Sequence, residues 1–281
     1  MESWRFIRDP GRRGADNMAV DEALAESASK KGTTTLRAYS FDPPCVSVGR
    51  FQRLEGFIDL DACRTAGVDV VRRPTGGLAI LHACDFTYSF TTPFVGDPTG
   101  ARDRLFGLVA SGIVASLALL GIDADVVSHK DGAAPPGWCF GMEYGVDIEW
   151  MGRKICGSAQ RVARGSLLQH GSLFLMDDGG LADRICCGFS ASVGAQRPVT
   201  VSEAARRDIS WEDMAAAFHE GFSTAHGIEL VPGRMEPPET ESAAAILKEK
   251  YATGASMAGD SAGNVCDIIV QNTAAGEVDG G

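Results

Sequence analysis

The sequence predicts an α+β fold in which a mixed β-sheet packs against helices. Predicted strands come in neighbouring pairs with helices between the groups, an order that favours α+β over a doubly wound parallel sheet. The chain has 281 residues, 44% of them hydrophobic, which is enough for one sizeable core or two modest ones. Because the composition changes at Pro237, we expect a main domain over residues 1–236 and a C-terminal extension over 237–281, a short helix and then mostly disordered chain.

The first third of the chain alternates strand and helix patterns. Asp16 or Asn17 is a typical helix N-cap, with acidic residues in the turns that follow. Gly67 occupies the position of a helix C-cap. Together these patterns predict strands at 4–7, 33–39, 45–49 and 68–71, and helices at 16–24 and 59–66.

The remaining elements follow from hydrophobic periodicity. Residues 79–81 and 86–90 are predicted to be paired strands, and residues 102–121 form a helix with a broad apolar face. Alternation on both sides of Gly152 predicts a hairpin over 147–156. The other predicted elements are a strand at 167–175 and helices at 211–226 and 241–251.

Charge and composition argue against several classes of protein. A net charge of −11 disfavours nucleic-acid binding, which usually needs a basic patch. No apolar run approaches the roughly 18 to 20 residues that span a bilayer, and the first residues lack the pattern of a secretory signal. We therefore expect a cytoplasmic protein that binds neither nucleic acid nor membrane.

The eight cysteines do not form a pattern typical of disulfides or of zinc. The sequence has no CxxC pair and no Cys/His cluster at metal-ligand spacing, so we predict no metal site. Most of these thiols are expected to be buried small hydrophobes. Cys139 differs because it lies in a segment rich in Gly and Pro, a loop by composition, and reactive cysteines favour such settings. The alternative is a loop cysteine without a role.

Segment 72–77, Arg-Arg-Pro-Thr-Gly-Gly, follows a predicted strand. The glycine pair lets backbone N–H groups approach an anion or a carbonyl closely, and the arginines can neutralise phosphate. The segment is neither a Walker loop nor GxGxxG. The alternative is a β-turn flanked by surface arginines.

Three further side chains have a functional and a structural interpretation. Lys154, in a strand pattern, can polarise a carbonyl or lower the pKa of a neighbouring thiol; the alternative is a solvated edge lysine. His170 lies inside an apolar strand and His82 follows another apolar run. Each histidine is either a hydrogen-bonded core residue or a catalyst.

The order of these segments resembles that of the lipoate/biotin protein ligase and octanoyltransferase family. Besides 72–77, the matching segments are 17–24, 43–52, 154–160 and 169–172, which keep the family's order and spacing. The resemblance covers positions 4 to about 235, and the combination is highly specific although no single segment is.

The resemblance implies a biotin/lipoyl protein ligase fold, related to class II aminoacyl-tRNA synthetases, with a catalytic domain over 1–236 and a tunnel for the acyl chain. It also implies that Lys154 binds the reacting acyl centre. His82 is followed by Ala83, where an acidic residue is usual, so the site beside His82 is expected to differ. The other residues that the resemblance places at the acyl or acyl-phosphate site are Arg72, Arg73, Thr75, Gly76, Gly77, His82, Gly157, Ser158, Ala159, Gln160, His170 and Gly171.

Cys139 distinguishes the branches of this family. In a cysteine-dependent monomeric octanoyltransferase branch, the nucleophilic cysteine lies fifteen residues before the active lysine, and here 154 − 139 = 15. The resemblance is closest to this branch, so it implies that Cys139 and Lys154 are catalytic. Cys186 and Cys187 remain alternatives, because other octanoyltransferases place their cysteine later in the chain.

The implied activity is that of an octanoyl-carrier-protein:protein N-octanoyltransferase in lipoate biosynthesis, a monomer that requires no cofactor. The donor is then acyl carrier protein, and the acceptor is a lysine of a lipoyl-domain protein or of the glycine-cleavage H protein. Three alternatives stay open: an ATP-dependent lipoate–protein ligase, which needs ATP and Mg²⁺; an octanoyl amidotransferase between lipoyl-domain proteins; and a non-catalytic acyl-binding or carrier-docking protein.

Overall fold

Two β-sheets and their surrounding helices make up the part of the chain that the computed structural model describes, namely residues 2–9, 11–53, 58–96, 98–129, 145–186 and 198–251. In chain order the elements are β1 (Ser3–Arg8), α1 (Gly14–Lys31), β2 (Thr35–Tyr39), β3 (Cys45–Val48), α2 (Leu60–Thr65), β4 (Asp69–Arg72), β5 (Ile80–His82), β6 (Asp85–Pro93), α3 (Pro98–Leu119), β7 (Asp125–His129), β8 (Gly145–Trp150), β9 (Arg153–Ala163), β10 (Ser166–Phe174), α4 (Leu181–Ile185), α5 (Val201–Ala205), α6 (Trp211–His226), β11 (Glu229–Gly233), α7 (Pro237–Ile246) and a π-helical turn (Leu247–Tyr251).

The larger sheet has the strand order β11-β1-β2-β6-β10-β9-β8-β7. β1 runs parallel to both of its neighbours, and every pairing from β2 to β7 is antiparallel. Its main hydrophobic core includes Tyr88 of β6, Ile113 of α3 and Phe218 of α6, all buried. The mixed sheet with packed helices confirms the predicted α+β class.

The smaller sheet has the order β4-β3-β5, with β3 parallel to β4 and antiparallel to β5. A second apolar cluster lies around it and includes Val46, Val70, Leu81 and Ile185. Polar side chains of both sheets face a common space between the sheets.

Helix α1 begins earlier than the sequence predicted. Its N-cap is Arg13, without a side-chain cap hydrogen bond, so the expected capping by Asp16 or Asn17 is wrong. Asn17 is fully buried and donates from Nδ2 to the carbonyl of Ser40 at 2.9 Å. The reason for the error is that this polar side chain binds the strand region instead of the helix end, a tertiary contact that local capping patterns do not contain.

The predicted pairing of 79–81 with 86–90 is also wrong. Both segments are strands, but β5 pairs with β3 in the small sheet, whereas β6 lies between β2 and β10 in the large one. The short connection at residues 83–84 thus carries the chain from one sheet to the other. Adjacent strands in sequence are paired in many proteins but not in all, and only tertiary packing decides.

Several predicted elements are confirmed. α6 covers 211–226 as predicted, and its capping box joins Ser210 and Asp213. The hairpin over 147–156 is present as β8 and β9, with positive φ at Met151 and Gly152 in the turn. β7, α4, α5 and β11 were not predicted from the sequence.

The C-terminal elements pack against the body of the protein. Arg5 donates two hydrogen bonds to the carboxylate of Glu239, at 2.8 and 2.7 Å. Tyr251 is fully buried among Met18, Tyr39 and neighbouring apolar residues. The helix predicted at 241–251 therefore starts four residues earlier and docks onto α1. Within the described residues, no helix combines the length and apolar character needed to cross a membrane.

Candidate active site

A small pocket with a cavity volume of about 20 Å³, part of which opens to solvent, lies between the two sheets and α1. Concave sites lined by apolar side chains and a few polar groups are typical of ligand binding. Seven of the residues that the sequence predicted for the site line it: Arg73, His82, Gly157, Ser158, Ala159, His170 and Gly171. Six lining residues were missed: Met18, Tyr39, Phe41, Ser47, Ile80 and Thr87.

The missed residues come from five different elements and from the chain after β2. Met18 belongs to α1, Tyr39 to β2, Ser47 to β3, Ile80 to β5 and Thr87 to β6. Alternation along each strand could have indicated which face each residue takes. It could not indicate that the two sheets face each other.

The arginines of segment 72–77 are buried and hold backbone. Arg73 donates to the carbonyl oxygens of Gly76 and Leu78, each at 2.7 Å, and to that of Ser47 at 3.0 Å. Arg72 is also buried and donates to the carbonyl oxygen of Gly49 at 2.7 Å. The alternative of a turn flanked by surface arginines is therefore wrong. Both guanidinium groups hold the loop in its conformation through these hydrogen bonds to backbone carbonyl oxygens.

Gly77 of this segment lies in close backbone contact with Gly49. A Cβ atom placed on Gly49 would lie only 1.8 Å from the carbonyl oxygen of Gly77, so the turn after β3 and segment 72–77 touch through backbone. Gly77 also has φ of +86°, a conformation that favours glycine. Gly76 and Gly77 are outside the pocket lining and shape the loop that borders it.

His170 on β10 connects a hydroxyl group to a buried carboxylate. Its Nε2 lies 2.5 Å from Thr75 Oγ1, and its Nδ1 lies 3.3 Å from Asp21 Oδ2. This geometry fits a neutral ring that accepts from Thr75 and donates to Asp21. Burial lowers the pKa of His170 below its ordinary value, although the neighbouring Asp21 opposes the change.

Asp21 belongs to a buried network centred on Arg37. Arg37 donates to Asp21 Oδ1 at 2.8 Å and to Asp9 Oδ2 at 2.6 Å, and its side chain is wholly buried. Tyr39 and Ser89 also donate to Asp21. Burial alone would raise the pKa of Asp21, but the hydrogen bond from His170 and the charge of Arg37 hold that pKa below its usual value. The carboxylate is therefore charged and fixes the ring of His170.

His82 makes an equivalent connection on the small sheet. Its Nε2 lies 2.8 Å from Ser47 Oγ, its Nδ1 lies 2.6 Å from Asp85 Oδ2, and its ring stacks on Phe41 at 4.0 Å between centroids. The acidic partner thus comes from Asp85, three residues after the histidine. This explains how the site accommodates Ala83, where the family usually has an acidic residue.

Lys154 lies on β9 with its ammonium group 2.6 Å from Asp147 Oδ1 on β8. The two side chains are only 9% and 5% exposed, so the alternative of a solvated edge lysine is wrong. Gln160, farther along β9, donates to the carbonyl of Arg102 at 3.1 Å and to Gln169 Oε1 at 2.7 Å. Both side chains lie outside the pocket lining. Lys154 lies at the end of β9 that is next to the β8–β9 turn, and residues 157–159, which line the pocket, follow on the same strand.

The described cysteines differ from what a nucleophile needs. Burial raises the pKa of Cys63 to about 11 and that of Cys156 to about 12, and it raises the pKa of Cys45 and Cys84 as well. A nucleophilic thiol needs a depressed pKa instead. Cys186 is buried beside Ile58. Cys139 and Cys187 lie outside the described residues.

This chain matches one family model and a relative over most of its length. The family model of the lipoyl protein ligase A/B catalytic domain matches residues 13–223. The octanoyltransferase LipM of Symbiobacterium thermophilum is 35% identical over 269 residues, which cover 89% of this chain and 96% of that protein.

Two solved structures share the fold. Lipoate-protein ligase A bound with ATP has a TM-score of 0.76 at 26% identity, over 90% of this chain and 97% of that chain. A bipartite lipoate protein ligase, described with its E2 lipoyl domain from Thermoplasma acidophilum, has a TM-score of 0.75 at 22% identity, over 92% and 97%. The pocket between the sheets, the order of the segments that form it and the match over most of the chain lead to one conclusion: this chain belongs to the lipoyl protein ligase A/B catalytic domain family.

Proposed function

We propose that this protein is an octanoyltransferase of lipoate biosynthesis, which moves an octanoyl group from acyl carrier protein to a protein lysine through a thioester on Cys139. The observation that carries the proposal is the 35% identity to an octanoyltransferase over nearly the whole of both chains. The buried Lys154, fifteen residues after Cys139, supports it because an ammonium group favours a neighbouring thiolate.

The first chemical step is a thioester exchange. The Cys139 thiolate attacks the carbonyl carbon of the octanoyl thioester, the bond from that carbon to the carrier's sulfur breaks, and the carrier leaves as a thiol after taking up a proton. Such an exchange is almost isoenergetic and needs no nucleotide. The Lys154 ammonium stabilises the oxyanion that forms on the carbonyl oxygen.

The second step forms an amide. The amine of the acceptor lysine attacks the Cys139 thioester, the bond from carbon to Cys139 Sγ breaks, and the proton lost by the nitrogen returns to the Cys139 thiolate. An amide is more stable than a thioester, so this step runs downhill. We propose accordingly that the enzyme requires no cofactor.

The pocket between the sheets is the proposed binding site for the acyl chain. Met18, Phe41 and Ile80 give it apolar walls, and the imidazoles of His82 and His170 are held by hydroxyl and carboxylate partners. Because these polar groups are already hydrogen-bonded, an apolar chain can enter without leaving them unpaired.

Acceptor and donor follow from the same proposal. Lipoylation enzymes act on lipoyl-domain proteins, and we propose that this enzyme acylates a lipoyl-domain protein or the glycine-cleavage H protein. We propose acyl carrier protein as its donor. We also propose that the enzyme is a monomer and that it is cytoplasmic. The domain organisation proposed with it is a catalytic unit over 1–236 and an extension over 237–281.

One observation favours a second function, an ATP-dependent lipoate–protein ligase. Lipoate-protein ligase A bound with ATP has the same fold at 26% identity. The residues here fit a nucleotide less directly, because Arg72 and Arg73 bind backbone carbonyls of their own loops. A ligase would need ATP and Mg²⁺ to activate a free carboxylate.

The experiment that separates these functions uses three donors with one acceptor, an H protein. Octanoyl carrier protein is supplied without nucleotide, octanoate is supplied with ATP and Mg²⁺, and an octanoylated lipoyl-domain protein is supplied alone. Intact mass reports octanoylation of the acceptor. We expect product from the first donor, and product from the second alone would establish a ligase. Product from the third donor would instead indicate an amidotransferase.

The nucleophile is identified by peptide mapping after incubation with octanoyl carrier protein alone. We expect the adduct on Cys139 and its loss in Cys139→Ser. The matched variants are Cys186→Ser and Cys187→Ser, which should keep both the adduct and the transfer. An adduct on Cys186 or Cys187 would move the nucleophile, and the absence of any adduct would favour a ligase. Product from none of the three donors would favour a non-catalytic acyl-binding protein.

A further inference from the structure

The ion pair between Lys154 and Asp147 is buried in the β8–β9 hairpin. Lys154 Nζ lies 2.6 Å from Asp147 Oδ1, a distance typical of a charge-assisted hydrogen bond. The strand register is irregular between Ile148 and Glu149, directly after Asp147. Such bulges re-aim side chains and are common beside active sites. The backbone of β8 is therefore shaped at the point where Asp147 meets the lysine.

We propose that Asp147 is a positioning residue that keeps Lys154 protonated and aimed at the reacting acyl group, so that the lysine acts as a fixed cation and not as a base. This inference rests on the proposed function, since it assigns Lys154 to the acyl-transfer site. Burial disfavours a charged lysine, whereas an opposite charge at this distance favours it. Removing the carboxylate therefore leaves the ammonium group buried without that counter-charge.

Other titratable groups of the described residues lie near this pair. Glu149 on β8 stands opposite Lys154 in the strand register and is 9% exposed, and Cys156 lies two residues along β9. Burial raises the pKa of Cys156 to about 12 although the charge of Lys154 opposes this, so its thiol stays neutral in the assay range. Arg153, the neighbour of Lys154, pairs instead with Glu203 at the surface.

The test is the pH dependence of acyl transfer in Asp147→Asn, which keeps the shape of the side chain and removes its charge. A buried lysine that loses an adjacent counter-charge gives up its proton at lower pH. We expect the alkaline limb of the rate profile to move down by about one pH unit or more. Asp147→Glu should restore part of the shift, because it restores the charge.

Lys154→Arg in the Asp147→Asn background provides a second measurement. Arginine stays protonated throughout the assay range, so the downshifted alkaline limb should disappear whatever the absolute rate. The matched control is Glu203→Gln, which removes the carboxylate partner of neighbouring Arg153 and should leave the profile in place. Circular dichroism checks that each variant is folded.

A uniform loss of rate at every pH in Asp147→Asn would overturn the proposal, because it indicates a purely structural carboxylate. If Asp147→Asn does not fold, Lys154→Arg in the wild-type background decides instead, because arginine stays protonated throughout the assay range. An alkaline limb that stays in place in this variant would show that the limb does not report the proton of Lys154, and would overturn the proposal. If the wild-type protein proves to be a ligase, the same series is run with octanoate and ATP. A failure of the proposed transferase is thereby distinguished from a failure of this inference.

Discussion

The two pocket histidines are hydrogen-bonded in the same way although they lie on different sheets. His82 lies between Ser47 and Asp85, and His170 lies between Thr75 and Asp21. Each ring is thus a hydrogen-bonded core residue, one of the two interpretations that the sequence allowed, and each also lines the pocket. The sequence could not separate these interpretations, because the partners lie up to 149 positions away in the chain.

The state of His170 predicts an acid limit to stability. The unfolded chain binds a proton at this residue near the ordinary pKa of 6.5, whereas burial keeps the folded ring neutral to lower pH. Because the unfolded state then binds more protons, this contribution is fully present above about pH 6.5 and is lost as the pH falls below it. We expect the melting temperature to drop between about pH 7.5 and about pH 5.5, and to drop less in His170→Gln.

Thermal melts of both proteins at the two pH values check this expectation. His226, whose pKa burial also lowers, is present in both proteins, so its contribution cancels in the comparison. Equal drops in the wild type and the variant would assign the acid sensitivity to other groups.

Gly171 lies where β9 and β10 are too close for a side chain. A Cβ atom there would lie 2.4 Å from the carbonyl oxygen of Gly157 and 2.7 Å from the hydroxyl of Tyr88. We expect Gly171→Ala to lower the free energy of unfolding by about 1 to 3 kcal/mol, or roughly 3 to 10 °C in melting temperature, and to slow acyl transfer by reshaping the pocket wall. The control is Gly76→Ala, where a Cβ has no neighbour within 4 Å. Similar melting curves for both variants would contradict the argument.

At the scale of elements, local patterns predicted helices better than strand partners. α6 has the predicted bounds because its amphipathic period and the cap at Ser210 are both local. β5 and β6 were located correctly but paired wrongly, since the choice between the two sheets depends on residues far away in the chain. The unpredicted β11 pairs with β1, about 226 positions earlier (229 − 3), and no local signal indicates such a partner.

The turn between β8 and β9 offers a way to stabilise the hairpin that carries Lys154. Met151 and Gly152 have φ values of +50° and +72°, and positive φ at both central positions is what a type I′ turn requires. Methionine is strained there, whereas asparagine tolerates this conformation. We expect Met151→Asn to add about 1 kcal/mol, or roughly 2 to 4 °C in melting temperature.

The matched control for this turn is Met176→Asn. Met176 is also an exposed methionine, and it is not among the residues with positive φ. Differential scanning calorimetry of both variants separates the turn effect from the effect of removing an exposed apolar side chain. An equal gain in both would show that relief of backbone strain is not the cause.

At the scale of the whole molecule, the site is assembled from distant parts of the chain. Segments 72–77 and 157–159 belong to different sheets, and the resemblance to a family predicted that both contribute to one site. The structure gives the physical reason: the two sheets face each other, buried Arg73 holds the loops through hydrogen bonds to backbone carbonyls, and α1 supplies the Asp21 carboxylate that pairs with His170. Composition and periodicity alone could not have provided it.

The last prediction concerns the C-terminal elements. α7 and the π-helical turn place Tyr251 against Met18, Tyr39 and Phe41, three residues that line the pocket. Glu239 pairs with Arg5, whose side chain is only 13% exposed. Ending the chain at residue 236 should therefore cost about 3 kcal/mol or more, since removing one buried aromatic side chain alone costs that much, and it should also raise the KM for the octanoyl donor. Ending the chain at residue 253 should change neither property, because the sequence beyond it is rich in Gly, Ala and Ser and can bury little apolar surface. Melting curves and steady-state kinetics of the two truncated chains measure both effects. If the shorter chain matched the longer one in stability and KM, residues 237–251 would be an appendage that the catalytic unit does not need.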